Sequence, residues 1–345
     1  MIVSNHEGLC GELPKVLGLS SVTVQSSGSL ALQHRSSRGG ESMKRVIPLL
    51  LAFLLIASPA FSQASYDPSR HYELWIFDVV YRRDGNESWL MRVYQPQGSG
   101  PFPVLLDVHY GVWTLADRTA NAPVDRVLAA SGLVVAAIDF HQAPKYPYPT
   151  SVADVNYATR WLKIHARDFA GDARKLGAFG SSSGGHLVML SAMRPHDQRY
   201  AGVPLATSSP VDASLAYVIA LSPILDPYAR YLFAKETGRD DLIKMTDGYF
   251  PNQRQMQEGN PTMLLLRGEK AQLPPTLIIQ GTADKNVTPA MQQRFATAYR
   301  AAGSTVDLEV FPDAPHMFAL SPGKFPCHIG RVSFVIVMSK RGEGV

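Results

Sequence analysis

The sequence predicts an α/β fold, a doubly wound, mostly parallel sheet with an N-terminal β-hairpin and a small cap-like insertion. Three observations predict it. Short apolar runs recur along the chain with helix-like segments between them, as in parallel sheets whose strands are buried on both faces. Two earlier strand-like runs flank a tight-turn sequence. The 345 residues, 46% hydrophobic and 18% charged, supply the apolar stock for one large core.

Glu73–Val80 and Ser88–Tyr94 are rich in β-branched and aromatic residues, and Asp84-Gly85-Asn86 between them predicts a hairpin. Val104–His109, Leu133–Asp139, Lys175–Phe179, Tyr217–Ser222, Thr276–Gln280 and Thr305–Phe311 are the buried strands. Ser151-Val-Ala-Asp154 reads as a capping box ahead of Val155, Ala158 and Leu162. Thr288-Pro289 opens a later helix and Gly303 closes it, following the preference for proline just inside and glycine just outside a helix. Residues 226–272 break the rhythm: Tyr228, Tyr231, Phe233, Tyr249 and Phe250 are interspersed with charge and no strand is apparent. Such an excursion between two strands is a candidate cap over a site, or a surface excursion with its own small core.

The ends read differently. Met43-Lys44-Arg45, the apolar run Val46–Ala57 and the small residues up to Ala64 make 43–64 a secretory signal peptide. The apolar run is shorter than the roughly 20 residues that cross a bilayer, so no stable membrane span is expected and the predicted location is secreted or periplasmic. Residues 1–42, rich in Ser and Gly, then form an upstream segment, disordered or belonging to a mis-assigned start. A single domain is expected over 65–320. The tail, 321–345, is atypical, because Val332–Met338 is apolar without helical amphipathicity. Basic and acidic residues number 33 and 29, and no basic run exceeds two, which argues against a nucleic-acid partner. Cys10 and Cys327 make no disulfide framework, and no cluster has zinc-like spacing, so no metal is expected.

Chemistry concentrates at Gly180-Ser181-Ser182-Ser183-Gly184-Gly185, between a predicted strand and the apolar helix His186–Met193. A G-x-S-x-G turn in that setting places its central residue, Ser182, in strained backbone above the C-terminal edge of the sheet. Ser181 and Ser183 lack glycine at both offsets. A hydroxyl needs a base, and His316 follows the last strand at the same edge. His165, His186, His196 and His328 lack that context; His186 is expected to point into packing. The base needs an orienting carboxylate. Asp284 follows the strand Thr276–Gln280, with Asp226, at the end of the preceding strand, as the alternative. Asp313 is too near His316 in the chain to orient it easily. For a developing oxyanion, the donors predicted are the Ser183 amide and the amides of Tyr110 and Gly111 in His109-Tyr110-Gly111-Val112-Trp113. His109 and Trp113 are the candidate substrate-binding side chains, and Phe140, Tyr146 and Tyr148 are expected to shape the pocket.

Between about Glu73 and Phe318 the chain resembles the α/β-hydrolase esterase/lipase superfamily, on its hormone-sensitive-lipase-like and acetyl-esterase side. The resemblance rests on His109-x-Gly111-x-Trp113, Asp139-Phe-His-Gln-Ala-Pro144, Gly180-x-Ser182-x-Gly184-Gly185-His186, Ser222-Pro223 with Asp226, Gly281-Thr-Ala-Asp284 and Pro315-His316. It implies the α/β-hydrolase fold and cofactor-free hydrolysis of small-molecule carboxylic esters through an acyl-enzyme; short acyl chains are expected because nothing in the sequence resembles an extended hydrophobic lid helix. Two departures stand out: Tyr110 and Val112 replace two glycines of the family's oxyanion loop, and the tail lacks the family's closing helix. A prolyl-oligopeptidase-like serine peptidase and a catalytically impaired binding protein of the same fold are the competing readings.

Overall fold

The computed structural model describes residues 67–320, apart from 68 and 208. The upstream segment 1–42, the signal-peptide segment 43–64 and the tail 321–345 therefore lie outside the described residues, as do both cysteines.

Eight strands form one sheet: β1 (Leu74–Asp84), β2 (Glu87–Pro96), β3 (Phe102–Val108), β4 (Val134–Ile138), β5 (Gly171–Ser181), β6 (Val218–Leu221), β7 (Thr276–Gly281) and β8 (Val306–Phe311). Their spatial order is β1-β2-β4-β3-β5-β6-β7-β8. β1 and β2 form the expected antiparallel hairpin; Asp84 pairs with Glu87, and Gly85 takes the positive φ that the two-residue turn requires. β2 also runs antiparallel to β4, and every pair from β4 to β8 is parallel. All residues of β3, β4 and β7 are buried, which is why their sequences read as runs that are apolar but for Asp107, Thr276 and Gln280.

Alternate residues of each strand feed two cores. On one face, Leu105, Val135, Phe179 and Ile219 pack against Val124, Leu128 and Ala129 of helix α1 (Ala122–Ala130). On the other, Val104, Leu106, Ala178, Val218 and Ile278 meet α2 (Thr150–His165), α3 (Ser183–Met193) and, later in the chain, the helix Pro289–Ala301. Each buried Val or Leu side chain contributes on the order of 2 kcal/mol. That later helix starts after Thr288 with Pro289 in its first turn and ends before Gly303, which has φ +91°, as the sequence predicts.

After the short α4 (Gln198–Ala201), the segment 226–272 folds into α5 (Pro227–Glu236), α6 (Asp240–Tyr249), α7 (Gln253–Glu258) and α8 (Pro261–Leu266), so the Pro289–Ala301 helix is α9. Asp226, Asn252 and Asn260 cap α5, α7 and α8 through their side chains, each accepting a backbone N–H of the first turn. Tyr249, Phe250, Met256 and Leu264 join the main core alongside Trp113 and Tyr148 rather than forming a separate one.

The capping box predicted at Ser151–Asp154 is not formed. The N-cap of α2 is Pro149; Ser151 Oγ instead donates to Tyr249 Oη at 3.0 Å. The Asp154 carboxylate accepts the His141 backbone N–H and ring Nδ1–H and pairs with Arg82. These long-range partners outcompeted the local cap.

A buried acid pair lies beneath the sheet edge. Asp107 of β3 and Asp125 of α1 are both buried, with no cation hydrogen-bonded to either; Asn121 Nδ2 donates to Asp107 Oδ1, and Ser181 Oγ donates to Asn121 Oδ1. Burial pushes the Asp107 carboxyl up to about 7, and burial together with the Asp107 charge pushes Asp125 well above the carboxylate range. Folded pKa values above the unfolded ones make the folded state bind more protons. The stability they confer is complete below about pH 4 and drains away as pH rises through 7. Asp125→Asn is expected to flatten this slope in urea unfolding between pH 5 and 8, with a relative gain of about 2 kcal/mol at pH 8. An unchanged slope removes the pair from the pH dependence.

Candidate active site

The strand order reverses at β3 and β5, because the chain moves outward from β3 to β4 and then returns across β3 to β5. Loops leaving the C-terminal ends of β3 and β5 therefore diverge to opposite faces, opening a crevice where ligands bind in such sheets. One of these loops carries Gly111, the other Ser182.

Ser182 stands alone between β5 and α3, with φ 50° and ψ −113°. A side chain in that region costs roughly 1–3 kcal/mol and persists only where surroundings fix it. Here β6 does so: Ser182 N–H donates to Leu221 O at 2.9 Å, and Ile224 N–H donates to Ser182 O at 3.0 Å. Glycine is required on either side. A Cβ on Gly180 would lie 2.6 Å from Gly184 O, and one on Gly184 would lie 2.0 Å from Val108 O and 2.5 Å from His109 O. The second clash shows how closely the end of β3 abuts the elbow.

The base and the acid arrive from the far side of the crevice. The loops after β7 and β8 are stitched together: Asp313 N–H donates to Thr282 Oγ1 at 2.7 Å and Ala283 N–H to Ala314 O at 3.0 Å. In consequence His316 Nδ1 lies 2.8 Å from Asp284 Oδ2, and His316 Nε2 lies 3.1 Å from Ser182 Oγ. A carboxylate only accepts, so Nδ1 carries the proton and donates, leaving Nε2 as the acceptor for the serine hydroxyl. Asp284 Oδ1 accepts the amides of Asn286 and Val287 at 2.8 and 2.9 Å, and Oδ2 also accepts Gln280 Nε2 at 3.0 Å. Burial pushes the Asp284 carboxyl up, but the hydrogen bond and charge of His316, with the two amides, outweigh it and hold it below the ordinary aspartate range.

Three residues far apart in sequence, Ser182, His316 and Asp284, are thus brought into one hydrogen-bonded line. Asp226 is elsewhere. Its carboxylate accepts Ala229 N–H, Asn260 Nδ2 and Arg294, so it caps α5 and does not reach His316. Gln280 is the residue sequence reasoning missed. The signal was there, a polar side chain closing the otherwise apolar run of β7.

In the loop after β3, Gly111, Val112 and Trp113 have φ of 118°, 51° and 63°. A Cβ on Gly111 would lie 2.0 Å from Leu115 O. His109 Nδ1 is 2.6 Å from Tyr110 O and donates to it. The N–H and C=O of a trans peptide point opposite ways, so the Gly111 N–H is turned away from His109. The Ser183 amide lies in the first turn of α3, where no intrahelical acceptor exists.

The structure corrects the two candidate substrate-binding side chains. Trp113 has no exposed surface and His109 is 1% exposed. Trp113 stacks on Tyr249 with ring centroids 4.7 Å apart, and His109 stacks on Phe140 at 4.3 Å. Both read as pocket residues because an aromatic beside a glycine-containing loop looks the same in one dimension whether it faces in or out. Tyr148 is likewise buried, its hydroxyl 2.6 Å from that of Tyr200. Tyr146 and an edge of Phe140 do line a cleft, of about 390 Å³, with Trp89 and Lys145. Neither this cleft nor a larger one of about 630 Å³, at Arg194, His196 and Lys270, contains any of the three aligned residues.

The sequence profile of the BD-FAE family matches residues 91–299, more than half of the chain. The chain belongs to the BD-FAE family. Esterase LipQ of Mycobacterium tuberculosis (strain ATCC 25618 / H37Rv) is 24% identical over 74% of this BD-FAE chain and 60% of its own length. The chain thus spans about three-fifths of that relative. Carboxylesterase NlhH of the same strain is 28% identical over 84% of the chain and 85% of its own length. Among solved structures, esterase LipW from Mycobacterium marinum superposes with a TM-score of 0.62 at 23% identity, over 77% of this chain and 82% of its own. This BD-FAE protein has the α/β-hydrolase fold, with an open, mostly parallel sheet. Among the described residues no cluster of His, Cys, Asp and Glu could hold a metal ion, and no helix is long and apolar enough to cross a membrane.

Proposed function

We propose that this BD-FAE protein hydrolyses small-molecule carboxylic esters of short acyl chain through an acyl-enzyme. The observation that carries the proposal is the Ser182–His316–Asp284 line, with each donor matched to an acceptor. Ser182 Oγ attacks the acyl carbon while its proton passes to His316 Nε2. Asp284 holds the ring's orientation and stabilises the imidazolium. The carbonyl oxygen becomes an oxyanion received by the amides of Ser183 and of the Tyr110-Gly111 segment. Collapse expels the alcohol, which takes the proton from His316. A water activated by the same imidazole then attacks the acyl-serine, releasing the carboxylic acid and restoring Ser182.

Short acyl chains are the reading supported by the packing of the 226–272 segment, whose Tyr249 and Phe250 are buried against Trp113 in the main core. The Met43–Ala64 pattern supports export as the setting for this activity.

Turnover of p-nitrophenyl acetate, butyrate, octanoate and laurate tests the reading. We expect kcat/KM to be greatest at two to four carbons and to fall at least about tenfold by eight, the order of a few unaccommodated methylenes. An organophosphonate should add its mass to the peptide containing Ser182. A flat chain-length profile refutes the acyl preference; dipeptide amides hydrolysed faster than any ester, or no labelling of Ser182, refute the esterase reading itself.

A further inference from the structure

His186 lies one helical turn beyond Ser182, wholly buried, and joins three elements. Trp113 Nε1–H donates to its Nδ1 at 3.1 Å, and its Nε2–H donates to Gly259 O, between α7 and α8, at 2.7 Å. An indole N–H only donates and a carbonyl only accepts, so a single tautomer of the neutral ring satisfies both. Trp113 is the last of three successive residues with positive φ in the loop after β3. Two of these are not glycine, and such strain of roughly 1–3 kcal/mol per residue persists only where contacts over-determine it. The contacts here are the His186 hydrogen bond, stacking on Tyr249 at an interplanar angle of 6°, an edge contact with Phe250, and the Ala143 N–H on Trp113 O at 3.0 Å.

We propose that the Trp113–His186–Gly259 relay is a positioning device. It clamps the strained loop that presents the oxyanion-binding amides to the nucleophile's own helix and to the 226–272 insertion, so the insertion acts as a fixed buttress of the oxyanion site. The proposal rests on the esterase reading. His186 touches no reacting atom; it acts through Trp113.

The relay makes its two halves separable. His186→Gln keeps a donor near Nε2 for Gly259 O and removes the acceptor for the indole. His186→Asn places an amide oxygen near Nδ1 and releases Gly259. Trp113→Phe removes the indole N–H while retaining a ring against Tyr249. With p-nitrophenyl acetate, His186→Gln and Trp113→Phe are each expected to lower kcat by roughly 10- to 100-fold with KM within about twofold, less than outright loss of an oxyanion donor. His186→Asn is expected to recover most of that loss, and the double variant of Trp113→Phe with His186→Gln to be no worse than either single one. Phosphonylation of Ser182 should slow in parallel, and each variant is compared by its circular-dichroism melt. Wild-type kcat in a folded Trp113→Phe protein overturns the proposal. So does a loss confined to melting temperature or to KM, or an additive double variant. If Ser182→Ala retains turnover, the esterase reading fails first; if it is inactive while the relay variants are not, the relay alone is wrong.

Discussion

Ser182→Ala is expected to lower kcat on p-nitrophenyl esters by roughly 10⁵- to 10⁶-fold, the loss seen when a nucleophile of a serine–histidine–carboxylate set is removed. The fold should survive. Ser182 Oγ bonds to His316, whereas its position is fixed by the main-chain hydrogen bonds with Leu221 and Ile224, which alanine keeps. The left-handed backbone strain is the same for either side chain, since both carry a Cβ. We therefore expect the melting temperature to shift by only a few degrees, about what a change under 1 kcal/mol produces. Steady-state turnover measured beside a thermal melt checks both halves. Residual activity within a hundredfold of wild type in a folded variant would remove Ser182 as the nucleophile.

Asp284→Asn should cost about 10⁴-fold in kcat, the magnitude found when an orienting carboxylate becomes an amide. Neither orientation of the asparagine fits. With its NH₂ toward His316, that group faces two donors, His316 Nδ1–H and Gln280 Nε2. The ring must then shift its proton to Nε2 and can no longer accept from Ser182. With the oxygen toward His316, the NH₂ faces the amides of Asn286 and Val287. Each mismatch buries unsatisfied donors at about 1–3 kcal/mol, so stability should fall as well. Asp226→Asn is the control. Asparagine remains a good N-cap, and the Arg294 partner it would lose is half exposed, so kcat should stay within about threefold and stability within about 1 kcal/mol. Equal kcat losses in the two variants would contradict the assignment of the acid.

The strands were legible because burial on both faces removes polar alternation, leaving runs such as Val104–Val108 and Thr276–Ile279. The elbow was legible for a steric reason: only glycine tolerates 2.0 Å from Val108 O, so its spacing around Ser182 is dictated locally. What failed were readings that depend on direction. Ser151 and Asp154 have the composition of a cap, yet their partners, Tyr249, His141 and Arg82, come from other elements. The sequence puts Trp113 in the loop after β3 but not the side it faces, because a one-dimensional pattern does not encode where a residue with φ of 63° aims its ring. His186 is buried, as its place on the apolar helix implies, but the two hydrogen bonds that give it meaning reach residues 73 positions away in either direction.

β6 supplies no side chain to the aligned trio, yet it sits between the strand that carries Ser182 and those that carry Asp284 and His316. Its width therefore acts as a ruler, setting the reach between alcohol and imidazole. Splitting the polypeptide on either side of this strand should leave two inert pieces that regain turnover only on reassociation. Heat should likewise extinguish hydrolysis at the same midpoint as the far-ultraviolet signal.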